Sequence, residues 1–387
     1  MTRKPRILIL GGTGVFGNRL ARHLARWDNI ALILTSRSAP RARDAAAALG
    51  ADVQGIALAH GPDLAAQLKD IAPFAVIDCS GPFQRADYAT ARAVLEAGAH
   101  LIDLADARDY LSGYRAALDL LARRAGLCAL AGASSTPALS AAVVAGLTQG
   151  WHTVQDIDLA ITPGGRSEVG QAVIDAVLSY AGRPVPTWEQ GRASRATGWQ
   201  AGQAFTLPHL GPRAVAPVET YDAELLGPRH NVQGHVRFYA GLESRLEQFG
   251  LNVISWLRAR HLFPDPGFLT PTLCSLRQIT RRWMSDRGAM MVKISGLDAE
   301  AQPITATWSL LAEQDHGPFV PVMAAAAALR KLLRGPPAPG ARLACDALNL
   351  DEITAEMGPY ALFITTRMSD NPSASVAVTQ IEASLRA

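Results

Sequence analysis

The chain reads as an α/β protein, with a doubly wound parallel sheet at the N-terminus and a second α+β domain built on a mixed sheet. Three observations predict this. Short apolar runs alternate with helical patterns through the first third, and a glycine-rich turn joins the first run to the first helix. Farther on, the alternation gives way to longer strand patterns, a hairpin and Pro/Gly-rich connections. A length of 387 residues suits two domains. We set the boundaries at 1–135, 136–316 and 317–387, the last comprising a helix packing back between the domains and a tail.

The first strand is Ile7-Leu8-Ile9-Leu10, too short for a helix and bounded by glycine. Parallel strands covered on both faces have this pattern. Gly12-Thr13-Gly14-Val15-Phe16-Gly17 follows, with Gly11 in front. In such a turn Gly12 permits the exit from the strand, Gly14 lets amides approach a pyrophosphate, and Gly17 lets the helix pack on the sheet. Val15, Leu20, Leu24 and Ala25 recur at helical spacing, with Arg19, Arg22 and Arg26 on the wetter side. The helix N-terminus offers N–H groups and a positive dipole end to phosphate. Ile30 to Leu34 closes the βαβ unit. This order of strand, turn, helix and strand marks a Rossmann-type dinucleotide site, with residues Gly12, Thr13, Gly14, Val15, Phe16 and Gly17 as its cradle.

The end of the second strand distinguishes the nicotinamide cofactors. An NAD site places Asp or Glu there for the ribose hydroxyls, whereas an NADP site accommodates the 2′-phosphate with Arg. Here the chain has Thr35-Ser36-Arg37-Ser38, then Arg41 and Arg43, with no acid before Asp44. Arg37 can bind the phosphate through charge-assisted hydrogen bonds, with Ser36 donating beside it. NADP(H) is therefore expected over NAD; the alternative is that Arg37 is a solvated loop arginine.

Further strands are expected at Val53–Leu58, Phe74–Cys79, His100–Leu104 and Leu127–Ala131, giving six in all. Helices are expected from Pro62–Asp63 to Lys69, from Tyr88 to Gly98 and from Tyr110 to Arg124. Ligands of such sheets bind beyond the carboxyl ends of the strands. That rule selects Ser80-Gly81-Pro82 as further cofactor contacts, and the turns at Asp103–Asp106 and Gly132–Pro137.

Composition excludes several classes. A net charge of +3, dispersed along the chain, gives no argument for nucleic acid or for a membrane surface. No apolar stretch approaches ~18 residues, so no membrane span is expected. The N-terminus enters the first strand directly, and a reduced cytoplasmic location fits. Cys79, Cys128, Cys274 and Cys345 are scattered, indicating neither metal site nor disulfide framework. The only lysines are Lys4, Lys69, Lys293 and Lys331, and none has a tyrosine four residues before it, which disfavours Tyr-x-x-x-Lys chemistry.

Gly11–Gly17, Ile77-Asp78-Cys79-Ser80-Gly81-Pro82-Phe83 and His100–Asp106 together resemble the saccharopine dehydrogenase family. The resemblance is strongest over residues 5–140. Beyond it, Ser134-Ser135-Thr136-Pro137 stands where the true saccharopine reductases carry an Asp-Pro-Gly type of loop, so saccharopine itself is in doubt as substrate. The resemblance implies a Rossmann domain, a nicotinamide cofactor, and a mixed-sheet second domain that forms a homodimer.

In the second half, Thr136–Pro137 is expected to cap and start a helix to about Leu147. Ser134 and Ser135 lie near a bound nicotinamide, or serve only as capping donors. Ile157–Ile161 reads as a strand, followed by a helix from Ser167–Glu168 to Tyr180 with Val173, Val177 and Leu178 inward. Arg166, in a glycine-rich turn, is a candidate for a substrate carboxylate, or belongs to plain capping chemistry. Residues 182–235 look like strand and loop. A strand at His235–Leu242 precedes a helix at Leu246–His261 with Trp256 in the core. Met290–Ser295 and Ile304–Leu311 form a hairpin, whose exposed face or edge a second subunit is expected to cover. Pro318 and Pro321 start a helix to Arg334; the tail after Asn371 is polar.

Candidate proton carriers are Asp103, Asp106 and His316, although Asp103 equally suits holding a loop and a lone histidine suits a turn. The sequence thus predicts an NADP-dependent oxidoreductase moving a hydride to or from a C=O or C=N carbon of a small molecule. A non-catalytic NADP-binding sensor or assembly protein is the alternative, and an isomerase with a resident cofactor a third reading.

Overall fold

The computed structural model describes residues 4–167, 171–200, 202–207, 210–262, 266–369 and 379–380. The chain divides into two compact units: Met1–Leu139 with Pro318–Glu356, and Ser140–Gly317 with Met357–Ala387.

The first unit contains β1 (Arg6–Leu10), α1 (Val15–Leu24), β2 (Ala31–Ser36), α2 (Ala39–Ala47), β3 (Gln54–Ala57), α3 (Leu64–Ile71), β4 (Ala75–Asp78), α4 (Ala89–Glu96), β5 (His100–Asp103), α5 (Arg108–Ala125) and β6 (Cys128–Ala131). The order across the parallel sheet is β6-β5-β4-β1-β2-β3, with a seventh strand, Gly340–Leu343, parallel to β6. Six strands were expected from the sequence. The seventh follows a proline-rich turn and comes from the far end of the chain, so no local pattern announces it. Ile7, Leu8 and Ile9 are fully buried, as a doubly covered central strand requires. Helix α2, also absent from the sequence reading, is capped by Ser38, whose hydroxyl accepts from Arg41 N–H. It packs so closely on β3 that a Cβ on Gly55 would lie 2.1 Å from the Ala42 carbonyl oxygen.

Helix Val320–Arg334 packs on α1, with a buried ion cluster at its C-terminal half. Glu356 accepts from Arg330 and lies 2.9 Å from His23 Nε2, while the Arg330 guanidinium stacks 4.0 Å over Trp27.

The second unit holds a mixed sheet of β7 (Thr153–Thr162), β8 (Pro184–Glu189), β9 (Arg192–Thr197), β10 (Gln203–Leu207), β11 (Gly211–Pro217), β12 (His235–Ala240), β13 (Gly288–Leu297) and β14 (Pro303–Ala312). Its order is β10-β11-β12-β7-β13-β14 followed by strand Leu362–Ser369, with β8 and β9 branching from β12. β7 and β12 are parallel and the other pairs antiparallel. Leu159, Phe238, Val292 and Trp308 share one buried face. The opposite face carries Asp158, Arg237 and Lys293 side by side.

Several expectations are corrected. The β13–β14 hairpin is present, but β14 also pairs along its length with Leu362–Ser369, so its edge, one of the two places assigned to a second subunit, is covered by the chain itself. Thr136 is extended (φ −129°, ψ 134°) within a single π turn at Ser135–Leu139, and the α-helix runs Ser140–Leu147. The ring of Pro137 disfavours helical backbone at the residue before it. Trp256 and Val173 are 44% and 39% exposed rather than inward. Helices Asp222–Arg229 and Thr270–Thr280 lie where strand, loop or nothing was read. Helix Gln171–Tyr180 is as expected in its body, whereas Glu168 at its anticipated start lies outside the described residues, as does the tail apart from Thr379–Gln380.

Candidate functional site

Winding in the first sheet reverses between β1 and β4, the switch point at which doubly wound sheets open a ligand crevice. Two turns meet there. A Cβ on Gly11 would lie 3.0 Å from Ser80 Cα and 3.1 Å from the Cys79 carbonyl oxygen, so the glycine turn abuts the turn of Ser80, Gly81 and Pro82. Gly11, not Gly12, makes the left-handed turn out of the strand (φ 69°). Gly12 instead provides close approach, since its Cβ would lie 3.2 Å from Thr35 N. Gly17 is tighter: its Cβ would stand 2.2 Å from the Gly11 oxygen.

Gly14 differs from its neighbours. It is exposed, and a Cβ there would meet only the Gly11 oxygen at 3.2 Å. It is also the N-cap of α1 and has no side-chain cap. The first-turn N–H groups beyond Gly14 thus lie at an uncapped helix end, which fits a phosphate. Thr13, Val15 and Phe16 complete this turn and are half-buried. At the end of β2, adjacent in the sheet, Arg37 is exposed, and the Oγ of half-buried Ser36 accepts from Ser38 N–H at 3.3 Å.

Behind the crevice lie two neighbouring buried carboxyls, Asp78 and Asp103, paired in register on β4 and β5. Asp78 accepts from the backbone N–H of Ser80 at 2.9 Å and from its hydroxyl, fixing the Ser80 turn. Burial raises its pKa, those hydrogen bonds opposing. Asp103 Oδ1 accepts from Gly132 N–H at 2.9 Å and Ala105 N–H at 3.0 Å, and Oδ2 from the Tyr110 hydroxyl at 3.3 Å. Burial pushes Asp103 up to about 7, against these donors and with help from the Asp78 charge. Asp103 is thus a tie between the turns after β5 and β6, fully buried, rather than a group presented to a ligand. Asp106 is exposed and accepts from Gln84 at 3.3 Å. Burial, with Asp78 and Asp103 nearby, also pushes the Cys79 thiol upward, away from nucleophilic use. Ser134 and Ser135 are half-buried after the Gly132 turn, with Ser134 N–H donating to the Gly132 oxygen at 2.8 Å.

The remaining candidates belong to the second unit. His316 Nδ1 accepts from Ala361 N–H at 2.8 Å and its ring packs edge-on to Tyr360, so it holds a turn. Arg166 is exposed, but the glycine turn beside it already has an anion. Glu243 accepts from Gly165 N–H at 2.7 Å and Ser285 N–H at 3.0 Å, with Arg213 at 3.9 Å. Burial opposes its ionisation, yet these donors hold Glu243 below the ordinary carboxylate range. The turn that looked like a substrate-carboxylate site is filled by the protein's own carboxylate.

Sequence reasoning missed Tyr88, Tyr110 and Tyr114, which stack beside Asp103 with ring centroids 5.0 Å and 5.6 Å apart along the series. Tyr110 and Tyr114 stand four residues apart on the inward face of α5, a signal available in the sequence. Among the described residues, no group of three or more His, Cys, Asp or Glu is placed to hold a metal. No described helix is long and apolar enough to cross a membrane.

Fold and turn together define a nucleotide-binding protein of the Rossmann type. Residues 7–130 match the family described as the saccharopine dehydrogenase NADP binding domain. No curated protein sequence matches the chain. Its fold is similar to that of saccharopine dehydrogenase (L-Glu forming) from Saccharomyces cerevisiae, with TM-score 0.70 and 13% identity over 94% of this chain and 100% of that one. Homospermidine synthase from Legionella pneumophila, solved with NAD, gives TM-score 0.57 and 13% identity over 97% and 94%. Amine dehydrogenase from Mycobacterium smegmatis gives 0.50 and 12% over 89% and 96%. At such identities these likenesses are of fold. The family match thus falls on the N-terminal segment that carries the glycine turn, where the motifs placed the resemblance.

Proposed function

We propose that the first unit binds NADP(H) and that the protein is an oxidoreductase acting on a C=O or C=N carbon of a small molecule. The observation that carries this reading is the pairing of an uncapped glycine turn, open at Gly14, with a β2 strand that ends in Ser36-Arg37 instead of a carboxylate. When bound, the nicotinamide donates or accepts the hydride. The N–H groups of Val15 and Phe16 would hold the pyrophosphate, and Arg37 with Ser36 the 2′-phosphate. The Ser80-Gly81-Pro82 turn flanks the crevice, its shape fixed by Asp78. Asp103 positions the turns after β5 and β6, so positioning, more than a dedicated acid, is the contribution of this edge. The family match of residues 7–130 and the dehydrogenases sharing the fold support the same class.

The test is a pair of calorimetric titrations with NADPH and NADH, followed by a carbonyl and imine panel read by NADPH absorbance. NADPH should bind about tenfold or more tightly than NADH. Absence of binding by either cofactor overturns the proposal; binding without turnover across the panel removes its oxidoreductase half.

A further inference from the structure

We propose that the neighbouring helices Arg245–Ala259 and Thr270–Thr280 of the second unit form a docking element for an anionic lipid surface. On the first helix Leu246, Phe249, Val253 and Trp256 recur at spacings of three and four, one stripe of a helix, and all four are exposed. Leu246 is 79% and Phe249 64% exposed. A second stripe of the same spacing, Leu276, Ile279 and Trp283, is exposed on the other helix and the 3₁₀ turn that ends it, with Trp283 77% exposed. Glu247 joins the helices, accepting from Arg277 at 3.3 Å and Thr280 at 3.0 Å. Single exposed apolar residues are ordinary; two stripes of large side chains on adjoining helices mark an interaction surface.

Charge selects the occupant. Arg245, Arg260, His261 and Arg282 are exposed around the stripes, and Arg260 lies 4.1 Å over the Trp256 ring. Between Arg245 and Trp283 the only acids are Glu247, engaged as above, and Asp265, outside the described residues. A two-fold contact with a second copy would set this arginine-rimmed surface against itself, with like charges opposed. Anionic headgroups satisfy the arginines while Trp, Phe and Leu enter the acyl boundary. The helices are too short and too polar on their other sides to span, so the mode is lying on the surface.

The experiment is sedimentation of the full chain with vesicles of phosphatidylcholine alone or mixed with phosphatidylglycerol, alongside light scattering of the free protein. The expected result is binding to the mixed vesicles only, weakened by salt, with a blue shift of tryptophan emission. Phe249→Glu with Trp283→Glu should abolish it. Arg260→Glu or Arg282→Glu should each reduce partitioning about fivefold or more. These positions are exposed, so thermal melts of the variants should match the parent. No binding to mixed vesicles overturns the proposal, as does binding that the substitutions leave unchanged. A dimer that Phe249→Glu splits, without vesicle binding, assigns the surface to a second copy instead.

Discussion

Replacing Asp103 by Asn should flatten part of the protein's acid-to-neutral stability profile. Asp103 is fully buried, and its carboxyl moves from near 3.8 to about 7 on folding. Between these values the folded chain holds a proton that the unfolded chain has released. The folded state is therefore penalised progressively as pH rises from about 4 to about 7, by up to about 4 kcal/mol. Asn keeps the acceptor that serves Gly132 and Ala105, because both N–H groups donate to Oδ1. It also keeps the shape of the protonated acid and cannot ionise. Urea denaturation of parent and variant across this pH range isolates the effect, since other raised carboxyls such as Asp222 titrate in both proteins. The variant should gain relative to the parent by a few kcal/mol between the ends of the range. A constant difference across pH would refute the assignment of a shifted, buried Asp103.

The glycines of the turn should separate by role: Gly14→Val, whose Cβ meets only the Gly11 oxygen at 3.2 Å, should lose far less stability than Gly17→Ala yet lose NADPH binding by calorimetry. Gly17→Ala, whose Cβ meets backbone at 2.2 Å, should lower stability by ~1–3 kcal/mol or more in urea. Glu356→Gln should cost about 3 kcal/mol at neutral pH, the low end for breaking a buried pair because Arg330 is partly open to solvent. His235 sits 2.8 Å from Asp156 and 3.1 Å from Asp158, and although burial opposes it, these acids raise its pKa. Its stabilisation is present below the ordinary histidine pKa and fades as pH rises through the raised value, so His235→Gln should cost more in urea at about pH 5 than at about pH 9.

What the sequence could and could not reveal follows from range. Ile7–Leu10, the glycine turn and the apolar runs of β4 to β6 are local patterns, and the first sheet was legible from them. Gly340–Leu343 was not, because its strand character depends on β6 being there to pair with. Trp256 shows the limit of periodicity: the spacing of Leu246, Phe249, Val253 and Trp256 announces a stripe but not whether the protein covers it. At the site, the types of Asp78 and Asp103 at strand ends were visible. Their burial, and the donors from Ser80, Gly132 and Ala105, come from packing. Glu243 could not be matched to Gly165 from sequence, since 78 residues separate them.

The central claim, that the first unit reads a 2′-phosphate through Arg37, is tested most directly by titrating NADPH and NADH into parent and Arg37→Asp proteins. Loss of one charge-assisted contact is worth ~1.5–3 kcal/mol, about ten- to a hundredfold, and the new carboxylate adds repulsion toward phosphate while offering an acceptor to the ribose hydroxyls. The variant should weaken NADPH by at least that factor, hold or improve NADH, and so reverse the preference. Equal weakening of both cofactors, or unchanged NADPH affinity, would contradict it.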